Sequence, residues 1–187
     1  MDSKTCSFLG HRNTKLAQSQ IQKLNEVLEN LIVEQNVSTF LFGSKSKFNN
    51  LCLSLVTSLK NKYPYIKRIG YTCRSETCHL EKDRLEWEKY YLSLGNKPSQ
   101  LFGFEMECEH RTKYTAGKAS YIERNQAMID NSNYCIFYYN SEYKPSIRKL
   151  SKKDMGYYQP KSGTALAYKY AKKKKKVIIN IFNNFEE

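Results

Sequence analysis

The chain has 187 residues, 40% of them hydrophobic and 26% charged, with a formal net charge of +13. That length fits one domain with a full two-sided core, and no apolar run approaches the ~20 residues that a membrane helix needs. The opening MDSKTCSFLGHR has neither a basic n-region nor a long apolar h-region, so no secretory signal and no membrane partner are expected, and the expected location is the cytoplasm.

Residues 6–10 form a short apolar run closed by Gly10, which predicts a strand and then a loop. From 15 to 35, Leu16, Ile21, Leu24, Val27, Leu28, Leu31 and Ile32 recur every three or four residues, the spacing of an amphipathic helix. Residues 38–42 read as a second strand stopped by Gly43. Phe48, Leu51, Cys52, Leu55, Val56 and Leu59 predict a second helix over 46–62, which Pro64 ends. A third strand over 66–72, a third helix over 81–94 and a fourth strand over 100–106 follow. Residues 118–131 read as helix, 134–139 as strand, 164–175 as helix and 177–182 as the last strand.

Strands alternating with helices imply crossover connections. The predicted class is α/β, with a central, mainly parallel sheet and helices on both faces. The segments 73–80, 107–117 and 140–161 all follow strands, so all three should crowd the rim at the strands' C-terminal ends. Sheets of this class bind ligands there. Segment 140–161 is longer than a usual connection, as a binding loop or lid would be.

The positive charge makes phosphate-bearing partners plausible, nucleic acid among them. Yet the lysines are scattered along the chain, and the run from Lys172 to Lys176 falls between a helix and a buried strand, where cations suit a helix C-terminus. Cys6, Cys52 and Cys135 lie in apolar runs and read as small buried hydrophobes. Cys73, Cys78, His79, Cys108 and His110 carry the donor chemistry of zinc. No spacing is a CxxC, however, and the expectation is no metal and no cofactor.

Four segments carry residues suited to chemistry. Gly10-His11-Arg12 follows the first strand, where glycine permits close approach and Arg12 can fork onto a phosphate. Gly43-Ser44-Lys45-Ser46-Lys47 precedes the second helix and offers either an anion site or a plain turn with Ser46 as N-cap. It is not a Walker A loop, and no GxGxxG occurs. Ser162-Gly163-Thr164 opens a helix, where Ser162 can cap and Thr164 can hold a phosphate. Within 120–131, Ile122, Met128 and Ile129 form a buried stripe, while Arg124 and Asn125 are placed to flank a ligand. Glu105, Glu107 and Glu109 alternate as on a strand and are candidates for ribose binding or base catalysis. Tyr157 and Tyr158, in the long loop, are candidates to stack on a base.

Taken together, these residues resemble the SMF/DprA–LOG (SLOG) superfamily of nucleotide-binding proteins, in particular its small bacterial and phage-type branch. The resemblance rests on the GHR after the first strand, on the RNxxMxDxS pattern from Arg124 to Ser132, and on Ser162-Gly163-Thr164 before the last helix and strand. It implies a single Rossmann-like domain over 1–187 that binds a nucleotide or an ADP-ribose- or NAD-derived ligand, as a sensor or binding module. Gly10, His11, Arg12, Gly43, Ser44, Arg124, Asn125, Ser162, Gly163 and Thr164 would line the site. The related Lonely Guy enzymes are phosphoribohydrolases with an arginine in the equivalent helix and a PGGxGTxxE signature. Arg124 matches that arginine and Pro160 to Thr164 match the phosphate loop in part, but Leu166, Ala167 and Tyr168 stand where the glutamate is expected. On the enzyme reading, Arg124 would work with Glu105 or Glu107 as a substitute carboxylate. DprA-type relatives bind single-stranded DNA, which gives a third reading. Relatives that pair through helices make the predicted third helix, with Trp87, a homodimer surface.

Overall fold

Alternation along the strands sorts the apolar side chains onto the two faces of one sheet. The computed structural model describes residues 3–12, 14–43, 46–73, 106–110, 117–149 and 157–182. In chain order the elements are β1 (Lys4–Gly10), α1 (Gln18–Val33), β2 (Val37–Phe42), α2 (Lys47–Lys62), β3 (Lys67–Cys73), β4 (Met106–His110), α3 (Gly117–Asp130), β5 (Tyr134–Tyr138), β6 (Arg148–Lys149), β7 (Tyr157–Tyr158), α4 (Gly163–Lys173) and β8 (Val177–Asn180).

Cys6 and Phe8 of β1, Phe40 and Phe42 of β2, and Tyr134 and Ile136 of β5 pack in one core. Leu24, Leu28, Leu31 and Ile32 of α1, and Phe48, Cys52, Val56 and Leu59 of α2, cover that face at helical spacing. The residues between, Leu9 of β1 with Cys135 and Phe137 of β5, enter a second core with Ile129 of α3 and with Ala167 and Ala171 of α4. A fully buried side chain of this kind contributes roughly 1.5–3 kcal/mol. The two-sided burial therefore holds the layers together and fixes the register.

Six strands form the sheet in the order β4-β3-β2-β1-β5-β8. All five pairings are parallel. The chain is thus α/β and Rossmann-like, with α1 and α2 on one face and α3 and α4 on the other. It steps outward from β1 to β4, then returns to lay β5 on the other flank of β1. That reversal makes the carboxyl ends of β1 and β5 a topological switch point. No helix among the described residues is long and apolar enough to cross a membrane.

Two elements differ from the sequence expectation. The fourth strand occupies Met106–His110 rather than 100–106, pairing Ile69 with Met106 and Cys73 with His110. The alternation Met-Glu-Cys-Glu-His has the period-two pattern of an edge strand, so the strand extends into the segment expected as the loop 107–117. Within 140–161, β6 and β7 pair antiparallel, a ribbon too short for any periodicity to announce. The helix expected over 81–94, with Trp87, lies outside the described residues.

Candidate functional site

The N-terminal ends of α2, α3 and α4 and the loop after β1 meet at the carboxyl rim, and serine side chains cap α2 and α4. Ser46 caps α2, accepting the Asn49 amide at 3.2 Å. Ser162 caps α4, accepting the Ala165 amide at 3.3 Å. Both follow the rule that a serine oxygen at the N-cap satisfies a first-turn N–H. The reading of Ser46 as an N-cap therefore holds, while Ser44 lies outside the described residues.

His11 connects these parts. Its ring is 4% exposed and its backbone N–H donates to Tyr138 at the end of β5. Its Nε2 accepts the Asn140 N–H at 3.1 Å, and its Nδ1 lies 3.4 Å from Ser162 Oγ. An amide can donate only to an unprotonated nitrogen, so the neutral ring carries its proton on Nδ1 and donates toward Ser162. Burial holds the His11 pKa below its ordinary 6.5. Tyr143 lies on the imidazole with ring centroids 4.0 Å apart and planes 33° apart. This tautomer is the reverse of what a serine nucleophile needs, since the nitrogen facing Ser162 already holds the proton.

Arg124 stands in the third turn of α3 and is 2% exposed. Helical side chains lean toward the helix N-terminus, which lets it reach back to the end of β2. There a Cβ built on Gly43 would lie 3.1 Å from Arg124 Nε and 2.2 Å from Met128 Sδ. The guanidinium carbon is 5.2 Å from the Tyr121 ring centroid, and Nη2 donates to Asn125 Oδ1 at 3.4 Å. Gly43 thus makes room for the α3 side chains. Gly10 does the same for α2, because a Cβ there would lie 2.5 Å from Phe48 Cδ1 and 2.8 Å from its Cβ. At Gly163 no described atom lies within 4 Å of such a Cβ. Thr164 is buried, Asn125 is half-buried, and Arg12 is exposed with its carbonyl accepting the Lys47 N–H at 3.1 Å.

Three residues at the rim escaped the sequence reading. Asn49, 3% exposed, donates through Nδ2 to the Phe8 carbonyl at 3.3 Å and accepts the Gly43 N–H at 3.4 Å. It fills the gap where β1 and β2 part, acting as a side-chain peptide group. Thr14, 7% exposed, has a hydroxyl with no hydrogen-bond partner among the described residues. Tyr143 is held by a turn in which its N–H donates to the Asn140 carbonyl and Asn140 Oδ1 accepts the Glu142 N–H at 2.8 Å. An Asx turn gives no signal beyond one asparagine, so only the fold reveals it.

Of the candidates for catalysis, Arg124 sits at this rim, whereas the described carboxylate and metal-binding candidates lie at the far flank of the sheet. Glu107 belongs to β4, three strand spacings or ~14 Å from β1, and Glu105 lies outside the described residues. Cys73 and His110 are register partners at the far flank of the sheet, while Cys78 and His79 lie outside the described residues. Among the described residues no group of three metal-ligating side chains occurs. Burial pushes the thiols of Cys6, Cys52 and Cys135 up, which keeps them protonated and poor as nucleophiles. Tyr157 and Tyr158 lie on the β6–β7 ribbon, 63% and 43% exposed.

The lysines from 172 to 176 are built into a helix end. The Lys176 N–H reaches the Ala171 carbonyl and the Lys175 N–H the Lys172 carbonyl, with Lys175 at φ 53°. That is a Schellman closure of α4. Lys174 Nζ pairs with Asp130 at 3.2 Å, and Lys176 Nζ donates to the Asp130 carbonyl at the end of α3. Compared with known proteins, the chain matches no family model and no curated protein.

Proposed function

We propose that this protein binds a nucleotide, or an ADP-ribose- or NAD-derived relative, at the carboxyl rim beside β1 and β5, and holds it without cleaving it. The observation that carries this reading is the location of the buried polar side chains. His11, Thr14, Ser46, Asn49, Ser120, Arg124, Ser162 and Thr164 are all buried; seven of them belong to the rim loops or to the first turns of α2, α3 and α4, and Arg124, from the third turn of α3, lies beside Gly43 at the end of β2. Of the other buried polar side chains, Ser7 lies inside β1 and Ser132 at the opposite end. A buried polar group costs roughly 1–3 kcal/mol unless it is hydrogen-bonded, so concentrating them at one edge is a cost that a ligand-binding rim explains.

The chemistry at that edge suits phosphate. The first amides of α4 point outward with the positive end of the helix dipole, Gly163 leaves space before them, and Arg124 adds a guanidinium in a dry setting. The three segments of the SLOG resemblance, at Gly10, Arg124 and Ser162, begin on this same rim. Cleavage of an N-glycosidic bond needs a carboxylate near the ribose. The glutamate position of the Lonely Guy signature is apolar here, and Glu107 belongs to a strand at the far flank. Binding is the reading these positions favour.

A thermal-shift titration with AMP, ADP-ribose and NAD tests the reading, because a ligand that binds only the folded chain raises the midpoint by mass action. At least one should give a saturable shift with no free base released on prolonged incubation. Arg124→Lys keeps the charge but loses the planar fork, and should weaken that ligand tenfold or more while the unliganded protein stays folded. No shift with any of the three at millimolar concentration refutes the site, and release of base refutes holding without cleavage.

A further inference from the structure

The ring of Tyr143 has a place and a surrounding that the binding reading does not use. Its inner face rests on His11, which is itself 4% exposed, yet Tyr143 keeps 37% of its surface exposed. That exposure leaves part of the ring open to solvent while the His11 contact holds it. Two hydrogen bonds within the Asn140–Tyr143 turn, and a third from Asn140 to His11, fix the backbone that carries it. The imidazole beneath it also meets the N-cap of α4 through Ser162. One ring width therefore separates Tyr143 from the amides where a phosphate would sit.

We infer that Tyr143 is the stacking platform for the base of the bound ligand, with His11 as its support, so that the site selects nucleotides over phosphorylated sugars. The inference rests on the binding reading above and deepens it. A tyrosine brings a large flat face at a cost of only two torsions, and here those torsions are already set by the His11 contact. Base–aromatic stacking tolerates any base, since every base has a π face. Selection at Tyr143 would thus favour the presence of a base rather than its identity. Tyr157 and Tyr158, singled out from the sequence, are less suited: β7 pairs only with β6 among the described residues, and both side chains are more exposed than Tyr143.

The test compares AMP, GMP, CMP and UMP with ribose 5-phosphate by calorimetric titration of the whole chain. In the wild type the best nucleotide should bind about tenfold or more tighter than ribose 5-phosphate, the effect of one base–aromatic stack. Tyr143→Ala should bring that nucleotide down to the level of the sugar phosphate and leave the sugar phosphate unchanged. Tyr143→Phe should keep the preference, which separates stacking from any role of the hydroxyl. Equal weakening of both ligands in Tyr143→Ala would assign the ring a purely structural role and overturn the inference. So would an unchanged preference, although the rim would then still be a binding site. If neither the nucleotides nor ribose 5-phosphate bind the wild type, the inference fails, and the binding reading fails with it if ADP-ribose and NAD do not bind either.

Discussion

Replacing His11 with alanine removes the group that joins the end of β1, the turn after β5 and the start of α4. Three losses add up. The Asn140 N–H loses its acceptor, worth roughly 1 kcal/mol for a partly exposed amide. The ring pair with Tyr143 contributes about 0.5–1.5 kcal/mol. The side chain leaves a space in a site that is 4% exposed, and the closing of such a space is only partial. Together these predict a loss of about 2–4 kcal/mol at pH 8, or about 5–15 °C in midpoint for a chain of this size. The effect is also pH-dependent, with a definite sign. Burial lowers the folded-state pKa of His11 below 6.5, so on acidification the unfolded chain takes up the proton first. Stability from neutral His11 is complete above 6.5 and is lost as pH falls toward the folded pKa. Urea unfolding of wild type and His11→Ala at pH 8, 6.5 and 5 measures the difference, and the subtraction removes every other titrating group the two share. The gap should shrink toward acid. His11→Gln, which offers one donor and one acceptor but does not titrate, should recover part of the loss and show no recovery of wild-type pH dependence. A gap that stays constant or widens toward pH 5 would refute the claim that the fold holds this imidazole neutral.

Gly10→Ala forces a Cβ to within 2.5 Å of the fully buried Phe48 ring; because Phe48 Cβ is also in the way, the ring cannot swing clear, and the loss should reach about 3 kcal/mol, the upper range for overpacking. Urea midpoints check it, and the same change made on Phe48→Ala, which removes the Cγ and Cδ1 that lie within 2.7 Å, should cost less. Asn49→Leu leaves the Phe8 carbonyl and the Gly43 N–H without their side-chain partner, which should cost about 2–4 kcal/mol; a loss under 0.5 kcal/mol in the same assay would mean the two strand ends are held by something else. Lys175→Gly relieves a lysine held at φ 53°, and should stabilise by about 0.5–1 kcal/mol net of the added chain entropy; a lower midpoint would show that the lysine side chain matters more than the backbone conformation.

The helices and central strands were legible because each carries its own period. Leu24, Leu28, Leu31 and Ile32 announce α1 without reference to any partner, and the apolar run from Tyr134 announces β5. Ser46 and Ser162 were legible as caps for the same local reason. The edge strand β4 was misplaced because its Glu-Cys-Glu-His run has little apolar content to mark it. The rim was legible as a location but not as a mechanism. His11 stood in the GHR segment as one binding candidate among several, and its partners Asn140 and Ser162 lie more than a hundred residues away in sequence. Asn49 looked like the polar side of an amphipathic helix, and Tyr143 is one of 15 tyrosines. What distinguishes each is a contact that exists only once β1, β2 and β5 lie side by side.

The two ends of the sheet solve the same problem in opposite ways, and the contrast bears on function. At the amino end, backbone groups and exposed side chains satisfy one another. Asn133 Oδ1 accepts the Thr5 N–H, Lys60 Nζ donates to the Ile66 carbonyl, and the Schellman turn of α4 closes with Lys174 and Lys176 on Asp130. These are inexpensive solutions, because solvent shares the work and, among the described residues, no polar side chain other than Ser132 is buried there. At the carboxyl end the chain instead buries a guanidinium, an imidazole, a carboxamide and several hydroxyls, and it sacrifices Cβ atoms at Gly10 and Gly43 to bring the helices close. Helix capping alone accounts for Ser46 and Ser162. It does not account for Arg124 or Thr14, since neither caps a helix. On the binding reading proposed above, a bound anion would account for their burial at the rim, and Arg124 and Tyr143 are the positions where binding experiments should begin.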